Sequence, residues 1–214
     1  MSLFDGFRKK QTEQANAKNK SVQDEKAGSA DRSKNSSAEG YYFDSAMELA
    51  VYGKLFAKDH VVNWLAGDNY KVAYMKGYHL YEQGLYAQAI DACRKSLKLN
   101  PIGLSARFEI CECYLKMGDL AAARKTFLQM KDYIVDNTSI AKFYRRIGFI
   151  EIEERRYQLA AACYQYSQRF ENHPSVSQEL VYIMSKAGVN IMSPNPDKIL
   201  MSANVPLLPT IKFD

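Results

Sequence analysis

The sequence predicts an all-α fold, a solenoid of about three helical hairpins with flanking N- and C-terminal helices, and three observations carry that prediction. From Tyr41 to about Gly188, apolar residues recur at three- and four-residue intervals, which is the period of amphipathic helices. The sequence contains no long alternating stretch and no Asn-Gly turn, so neither signal of a β-hairpin is present. A set of small and bulky residues recurs after 34 and then 37 residues, a spacing that two helices of about 13 residues fill with their turns.

The N-terminal residues 1–40 are predicted to be a disordered tail. Residues 11–39 contain no aromatic residue, and Val22 is their one aliphatic residue beyond alanine, so they cannot bury enough apolar surface to offset the entropy of ordering. Near the start, Leu3, Phe4 and Phe7 precede three basic residues. This short segment is either a frayed terminus or a weak anchor for a membrane or a partner.

Residues 41–69 are predicted to form two flanking helices. Ser45 and Glu48 have the spacing of a capping box, so a helix is expected over 45–57, and a second over 59–66. In residues 173–188, Ser175 and Gln178 have the same spacing and predict a terminal helix that covers the last hairpin.

Residues 189–214 are predicted to be a mostly extended tail because they contain four prolines. The segment 205–213 is too apolar to be a simply solvated end. It is expected to pack on the helices, with the groove of the array as one place for it, and a partner would then displace it.

The repeated pattern is centred on Ala89, Ala123 and Ala160. Small residues twelve positions earlier would let two helices approach closely, and larger residues four positions later would fill the space between hairpins. These are Gly77, Cys111 and Gly148, and then Cys93, Phe127 and Tyr164. Gly84 and Gly118 are placed to end the first helices, and Pro101 to end a second one. The additional three residues of the second spacing are assigned to a loop over 132–139.

Over residues 70–172 this pattern resembles the tetratricopeptide repeat family. The matching residues are Gly77, Ala89 and Pro101 in the first unit, Ile110, Cys111, Tyr114, Ala123 and Phe127 in the second, and Ile147, Gly148, Ala160 and Tyr164 in the third. The departures are Ala73 where the family prefers Trp, Leu80 and Glu151 where it prefers Tyr, Met130 where it prefers a small residue, and no proline after the second unit. The resemblance implies a right-handed α-solenoid whose first helices line a concave groove.

The resemblance also implies which residues line that groove. They are Tyr74, Tyr78 and Tyr81 in the first unit, Phe108, Glu112 and Leu115 in the second, and Lys142, Arg145, Phe149 and Ile152 in the third. Tyrosines with an apolar ring and a polar tip, beside cations, suit an extended or helical peptide. The alternative is that these tyrosines only pack between repeats.

One subset of the family grips the C-terminal carboxylate of heat-shock chaperones with Lys, Asn, Asn, Lys and Arg. Lys142 and Arg146 stand at matching places, but Tyr74, Tyr78 and Glu109 replace the other three. A lost cation and an added carboxylate oppose an anionic chain end, so no such clamp is expected.

The expected function is that of a non-enzymatic adaptor or scaffold for a protein partner. No phosphate-binding glycine loop, HExxH motif or nucleophile elbow is present. Glu151, Glu153 and Glu154 are expected on solvated faces, where they interrupt the nearby basic residues, so no nucleic acid is expected to bind. The alternative function is a bacterial secretion-type or assembly chaperone, whose client would be insoluble alone. Self-association is left open.

The composition favours a soluble, cytoplasmic chain without cofactor or metal. Its 214 residues are 47% hydrophobic and 25% charged, and no apolar run approaches the roughly 20 residues of a membrane span. The start places charge after a few apolar residues, the reverse of a secretory signal. The three histidines are too scattered for a metal site. Buried free thiols are expected at all four cysteines, Cys93, Cys111, Cys113 and Cys163.

Overall fold

The computed structural model describes residues 40–57, 61–188 and 190–209. The predicted tail 1–40, except for Gly40, and the segment with Leu3, Phe4 and Phe7 lie outside these residues. The helices are α1 Ala46–Phe56, α2 Asn69–Glu82, α3 Tyr86–Leu99, α4 Leu104–Lys116, α5 Leu120–Gln129, α6 Asn137–Glu153, α7 Tyr157–Ser167, α8 Ser175–Ala187 and α9 Pro196–Ser202. None of these helices is long and apolar enough to cross a bilayer.

The described residues form an all-α helical repeat fold, as the sequence predicts. Helices α2 and α3, α4 and α5, and α6 and α7 form three consecutive hairpins, and α8 packs against α7. Ala89, Ala123 and Ala160 are each completely buried. A Cβ atom added to Gly77 would lie 2.5 Å from Sγ of Cys93. One added to Gly148 would lie 2.8 Å from the Tyr164 ring. The small residues of the repeat therefore permit the close approach of the two helices in a hairpin.

The turn after the first helix of each hairpin needs a left-handed residue. Gly84 and Gly118 have φ angles of +76° and +74°, which glycine adopts without steric cost. After α6 the same place is taken by Arg155, with φ of +58°. The third hairpin therefore carries backbone strain of about 1 kcal/mol that the first two avoid.

The extra residues between the second and third hairpins are only partly a loop. Residues Met130–Tyr133 form a 3-10 helix, and α6 already begins at Asn137. Asp136 caps α6, because its carboxylate accepts a hydrogen bond of 2.7 Å from the Ser139 amide. The insertion thus lengthens the start of α6 instead of remaining a loop over 132–139.

The first flanking helix is confirmed and the second is wrong. Oγ of Ser45 accepts a hydrogen bond of 3.2 Å from the Glu48 amide and caps α1. Residues 61–66 are not helical. Two short parallel strands occur instead, β1 Gly40–Tyr41 and β2 Asn63–Trp64, and the Leu65 amide donates to the Tyr41 carbonyl at 2.8 Å. A helix of eight residues is too short to persist without packing, so the pairing with residues 40–41 prevails.

The terminal helix begins at Ser175, but the capping box predicted there is wrong. Pro174 occupies the cap position and its side chain makes no cap bond. The Ser175 amide donates instead to Nδ1 of His173 at 3.3 Å. The left-handed Gly188, with φ of +70°, ends the helix.

The C-terminal tail is not simply extended, because α9 lies within it. Asn195 caps α9 by accepting a hydrogen bond of 3.3 Å from the Lys198 amide, and Pro196 is its first residue. The following residues pack on the array, as expected. The Tyr144 hydroxyl donates to the Pro206 carbonyl at 2.7 Å and accepts from the Leu208 amide at 2.8 Å. Val205 is buried in the same core as Tyr144.

Candidate functional site

Helices α2, α4 and α6, the first helices of the three hairpins, bring aromatic and charged side chains together. Residues three or four apart share one face of a helix, which aligns Tyr74 with Tyr78 and also groups the residues that α4 and α6 contribute. Side-chain contacts between neighbouring first helices then join these groups of residues into one surface. We call this set the inner surface, and its members are Tyr74, Tyr78, Glu109, Glu112, Leu115, Lys142, Arg145, Arg146 and Phe149.

Three residues predicted for the groove lie in the core instead. Tyr81 is 9% exposed, Phe108 4% and Ile152 8%. The Tyr81 ring lies 5.7 Å from the Tyr86 ring of the same hairpin. Ile152 belongs to the apolar cluster that joins α6 and α7 to α8. These side chains support the inner surface from below and offer little area to a ligand.

The other seven predicted residues are partly exposed. They are Tyr74, Tyr78, Glu112, Leu115, Lys142, Arg145 and Phe149. Burial raises the pKa of Tyr74 well above its usual range, and the Glu109 carboxylate adds to the increase. Tyr74 therefore remains a neutral hydroxyl at physiological pH, with one donor and two acceptor positions.

The two arginines of the inner surface are already paired with carboxylates. A nitrogen of the Arg145 guanidinium lies 2.7 Å from the Glu171 carboxylate. Nε of Arg146 lies 2.6 Å from the Glu112 carboxylate, so this pair joins α6 to α4. Neither cation is available to an anionic ligand unless its partner is displaced.

Lys142 has a different environment. Its Nζ lies 4.1 Å from the centroid of the Phe108 ring. Within the described part of the chain, no carboxylate forms an ion pair with it. Burial lowers the pKa of Lys142 to about 8, and the Arg146 charge contributes to the decrease.

Glu109, like Arg146, belongs to the inner surface although it was not among the residues predicted to line the groove. Glu109 is 9% exposed, and its Oε1 accepts no hydrogen bond from any described residue. Burial, followed by the charge of Glu112, raises the pKa of Glu109 to about 7. Its replacement of a family asparagine was the available signal, since a carboxylate at an amide position changes the ligand that fits.

The cysteines are free and buried, as expected. Burial raises the pKa of Cys93 to about 12 and that of Cys113 to about 12. A thiol with such a pKa is a poor nucleophile at physiological pH. In the part of the chain that the structure covers, no group of three His, Cys, Asp or Glu residues is arranged to hold a metal ion.

Glu151 does not lie on a solvated face, in contrast to the prediction, whereas Glu153 and Glu154 are exposed. The Glu151 side chain is completely buried and is paired with Arg124 and Arg156. The Glu154 carboxylate is shared between the same two arginines. An open cavity along α5 borders this network, and the pairs neutralise Arg124 and Arg156 in its wall but not Arg107 or Lys125.

Comparison with known proteins supports the repeat fold. A family model described as tetratricopeptide repeat matches residues 80–147. A solved structure, the first tetratricopeptide repeat domain of Spaghetti (RPAP3) bound to the HSP90 peptide SRMEEVD, is similar with a TM-score of 0.50 and 22% identity. The similarity covers 58% of this chain and 97% of that one. None of the curated proteins matches the sequence.

Proposed function

We propose that this chain, whose residues 80–147 match the tetratricopeptide-repeat model, is a non-enzymatic adaptor that binds a segment of a partner protein on the inner surface. The supporting observation is the set of partly exposed aromatic side chains, Tyr74, Tyr78 and Phe149, beside charged groups held by pairs between helices. Aromatic rings supply much contact area at a small entropic cost. Charged groups fixed before binding supply orientation and specificity.

The charges of the inner surface disfavour an acidic partner segment. The charges of Glu109 and Glu112 both act on Lys142, and Arg146 is occupied by Glu112. The RPAP3 structure contains a peptide whose last residues include three carboxylate side chains. We expect such a peptide to be repelled by Glu109 and to find no unpaired arginine here.

Alanine substitution of the exposed tyrosines tests the adaptor role. The variant Tyr74→Ala/Tyr78→Ala is compared with the wild type by affinity capture and mass spectrometry, followed by calorimetry with the captured partner. Tyr81 is left intact because its removal would damage the core. The matched control is Tyr182→Ala, on α8, where the side chain is 46% exposed. We expect the double variant to lose its partners and the control to keep them. Identical partners and affinities in all three proteins would remove the inner surface from the proposal.

The preference against acidic ends is tested separately with the peptide SRMEEVD. We expect no measurable heat of binding with the wild type. Micromolar affinity that is weakened by Lys142→Ala would contradict the expected absence of a carboxylate clamp, while leaving the adaptor role in place.

A further inference from the structure

We propose that the open cavity along α5 is a second docking site, which takes an amphipathic helix of a partner protein through acidic side chains placed two helical turns apart. The cavity is built on a face of α5, the second helix of its hairpin, whereas the inner surface is built on the three first helices. The two sets of lining residues have no member in common. This inference therefore goes beyond the proposed function and does not depend on it.

The cavity follows one face of α5 for more than two turns. The residues of α5 that line it are spaced three or four apart and run from Ala121 to Gln129, about 12 Å along the helix axis. The side walls come from Arg107 on α4, from residues 131–133 and from Arg156 in the turn after α6. The cavity volume is about 960 Å³. Over this length, the volume corresponds to a mean width of about 10 Å, which is that of an α-helix with its side chains.

Positive charge exceeds negative charge in the wall of this cavity. Its cationic residues are Arg107, Arg124, Lys125, Lys131 and Arg156, and its acidic residues are Asp132 and Glu154. The buried Glu151 adds a third carboxylate behind the wall, where it pairs with Arg124 and Arg156. Even with this carboxylate included, an excess of two positive charges remains. The cavity is therefore complementary to an acidic ligand.

The uncompensated cations are Arg107 and Lys125. Among the described residues, no carboxylate is paired with either of them. The Arg107 guanidinium lies 4.1 Å from the centroid of the Tyr133 ring and donates to the Pro101 carbonyl, while its Nε donates to no described residue. The Lys125 side chain is exposed. An arginine already held by a ring and a carbonyl loses little freedom when it binds a carboxylate.

Apolar side chains separate the two cations. Leu128 lies one turn after Lys125 on the same face of α5, and Tyr133, whose ring contacts Arg107, follows the end of this helix. The order along the cavity is thus a cation, an apolar contact and a second cation. A partner helix with two carboxylates seven residues apart, about 10 Å along its axis, and an apolar side chain midway between them matches this order.

A helix suits this cavity better than an extended segment does. A helix pairs its backbone N–H and C=O groups internally, whereas an extended segment needs partners for them, and a face of α5 offers side chains and no strand edge. The peptide SRMEEVD has its acidic side chains within its last four residues. It is too short to form a stable helix or to reach both cations, so it is not expected to bind here.

Matched helical peptides test this proposal. The probe is a fluorescein-labelled, alanine-based peptide of about 18 residues, with two Glu residues seven positions apart and Leu midway between them. Its affinity for the full chain is measured by fluorescence anisotropy. We expect micromolar affinity, which falls about tenfold when either Glu is replaced by Gln. A peptide of the same composition with the two Glu residues three positions apart should also bind about tenfold more weakly, because it reaches one cation only.

Charge reversal at Lys125 is the decisive variant, since this exposed side chain makes no described hydrogen bond or ion pair. Lys125→Glu should abolish binding of the probe, and a probe with one Glu replaced by Lys should then bind to this variant. The control is Lys95→Glu, which makes the same change in net charge at an exposed position of α3 outside the cavity wall. It should keep the wild-type affinity within about twofold.

Arg107→Gln should weaken binding of the probe about tenfold. Circular dichroism will show whether this partly buried position tolerates the change, and Lys125→Glu decides the matter if it does not. The variant Tyr74→Ala/Tyr78→Ala should bind the probe as the wild type does, because these tyrosines lie on the inner surface. Failure of the proposed function and failure of this inference are therefore distinguishable.

Other results would overturn the inference. If replacing both Glu residues by Gln leaves the affinity unchanged, the cavity does not recognise carboxylates. If Lys125→Glu and Lys95→Glu weaken binding equally, the attraction comes from the net charge of +5 and not from this site. If tripolyphosphate binds in a manner that depends on Lys125 while the probe does not bind, the cavity takes a phosphate group and not an acidic helix. If neither of them binds, the cavity is not a docking site for an anionic partner.

Discussion

Nε of Arg146 lies 2.6 Å from the Glu112 carboxylate and connects the first helix of the third repeat to that of the second. Their side chains are only 12% and 15% exposed. Water screens such a pair weakly, and a partner left alone at this place keeps a poorly solvated charge. The pair therefore holds the inner surface together and at the same time withdraws a cation from ligand binding.

Removing one charge of the Glu112–Arg146 pair should destabilise the protein by more than half as much as removing both charges does, because one buried charge is then left unpaired. We expect Glu112→Gln and Arg146→Gln each to lower the free energy of unfolding by about 2 kcal/mol, since each leaves one charge unpaired. The double variant should lose clearly less than the sum of the two. Urea unfolding of the four proteins measures this cycle, and additive losses would show that the two side chains do not interact.

The pH dependence of stability should carry the signature of Glu109. Burial raises the pKa of Glu109 from 4.5 to about 7, so the folded state binds its proton more tightly than the unfolded state does. The contribution of this group is present at low pH and is lost as the pH rises toward 7. We expect the wild type to lose on the order of 2 kcal/mol over this interval relative to Glu109→Gln.

Lys142 should act in the opposite direction at higher pH. Burial lowers its pKa from 10.5 to about 8, so the unfolded state binds the proton more tightly. Stability should then rise with pH from about 8 toward 10.5, relative to Lys142→Met. Together the two groups predict a minimum between pH 7 and 8 in chemical unfolding experiments. Plots of the free energy of unfolding against pH that run parallel for the wild type and the variants across both intervals would contradict this prediction.

The repeats could be predicted from the sequence because their geometry is encoded locally. Gly77 and Ala89 lie on adjacent helices of one hairpin, and a small residue at each is needed for close approach whatever the rest of the chain does. The helix expected over 59–66 failed for the opposite reason. The pairing of Asn63 with Gly40 is a contact between distant residues, which short-range periodicity does not contain. The α9 helix did have a local signal, Asn195 before Pro196, which the neighbouring prolines concealed.

The candidate site was less predictable than the fold. Spacing on one helix grouped Tyr74 with Tyr78, and both are partly exposed, but it could not tell that Tyr81, one turn further, is buried against Tyr86. Likewise, nothing in the sequence shows that Arg146 is paired while Lys142 is not. Both facts depend on which side chains the next helix presents, and so on packing between repeats.

The strained turn at Arg155 should be improved by the residue found in the other two hairpins. Replacing Arg155 by Gly removes the Cβ atom that conflicts with the backbone at a positive φ angle. We therefore expect the free energy of unfolding to rise by about 0.5–1 kcal/mol. The control Arg155→Ala removes the charge but keeps a Cβ atom, so it should not gain. Conversely, Gly118→Ala should lose about 1 kcal/mol. Thermal melting of the variants measures these changes. If Arg155→Ala stabilises the protein as much as Arg155→Gly, the charge of Arg155, and not backbone strain, is what lowers the stability.

The C-terminal segment should contribute to stability without controlling the inner surface. The Tyr144 hydroxyl makes two hydrogen bonds to this segment, and Val205 is 5% exposed. Deleting residues 203–214 should therefore lower the free energy of unfolding by about 2 kcal/mol, and Tyr144→Phe by about 1 kcal/mol. Leu207→Ala is the control and should change the free energy of unfolding little, because this side chain is 37% exposed.

Peptide affinity should be the same for the full and the shortened chain, since the described hydrogen bonds of this segment go to α6 and α7 at Tyr144 and Tyr166. A shortened chain that melts unchanged would show that these contacts do not stabilise the fold, and one that binds peptide more tightly would show that the segment competes for the inner surface.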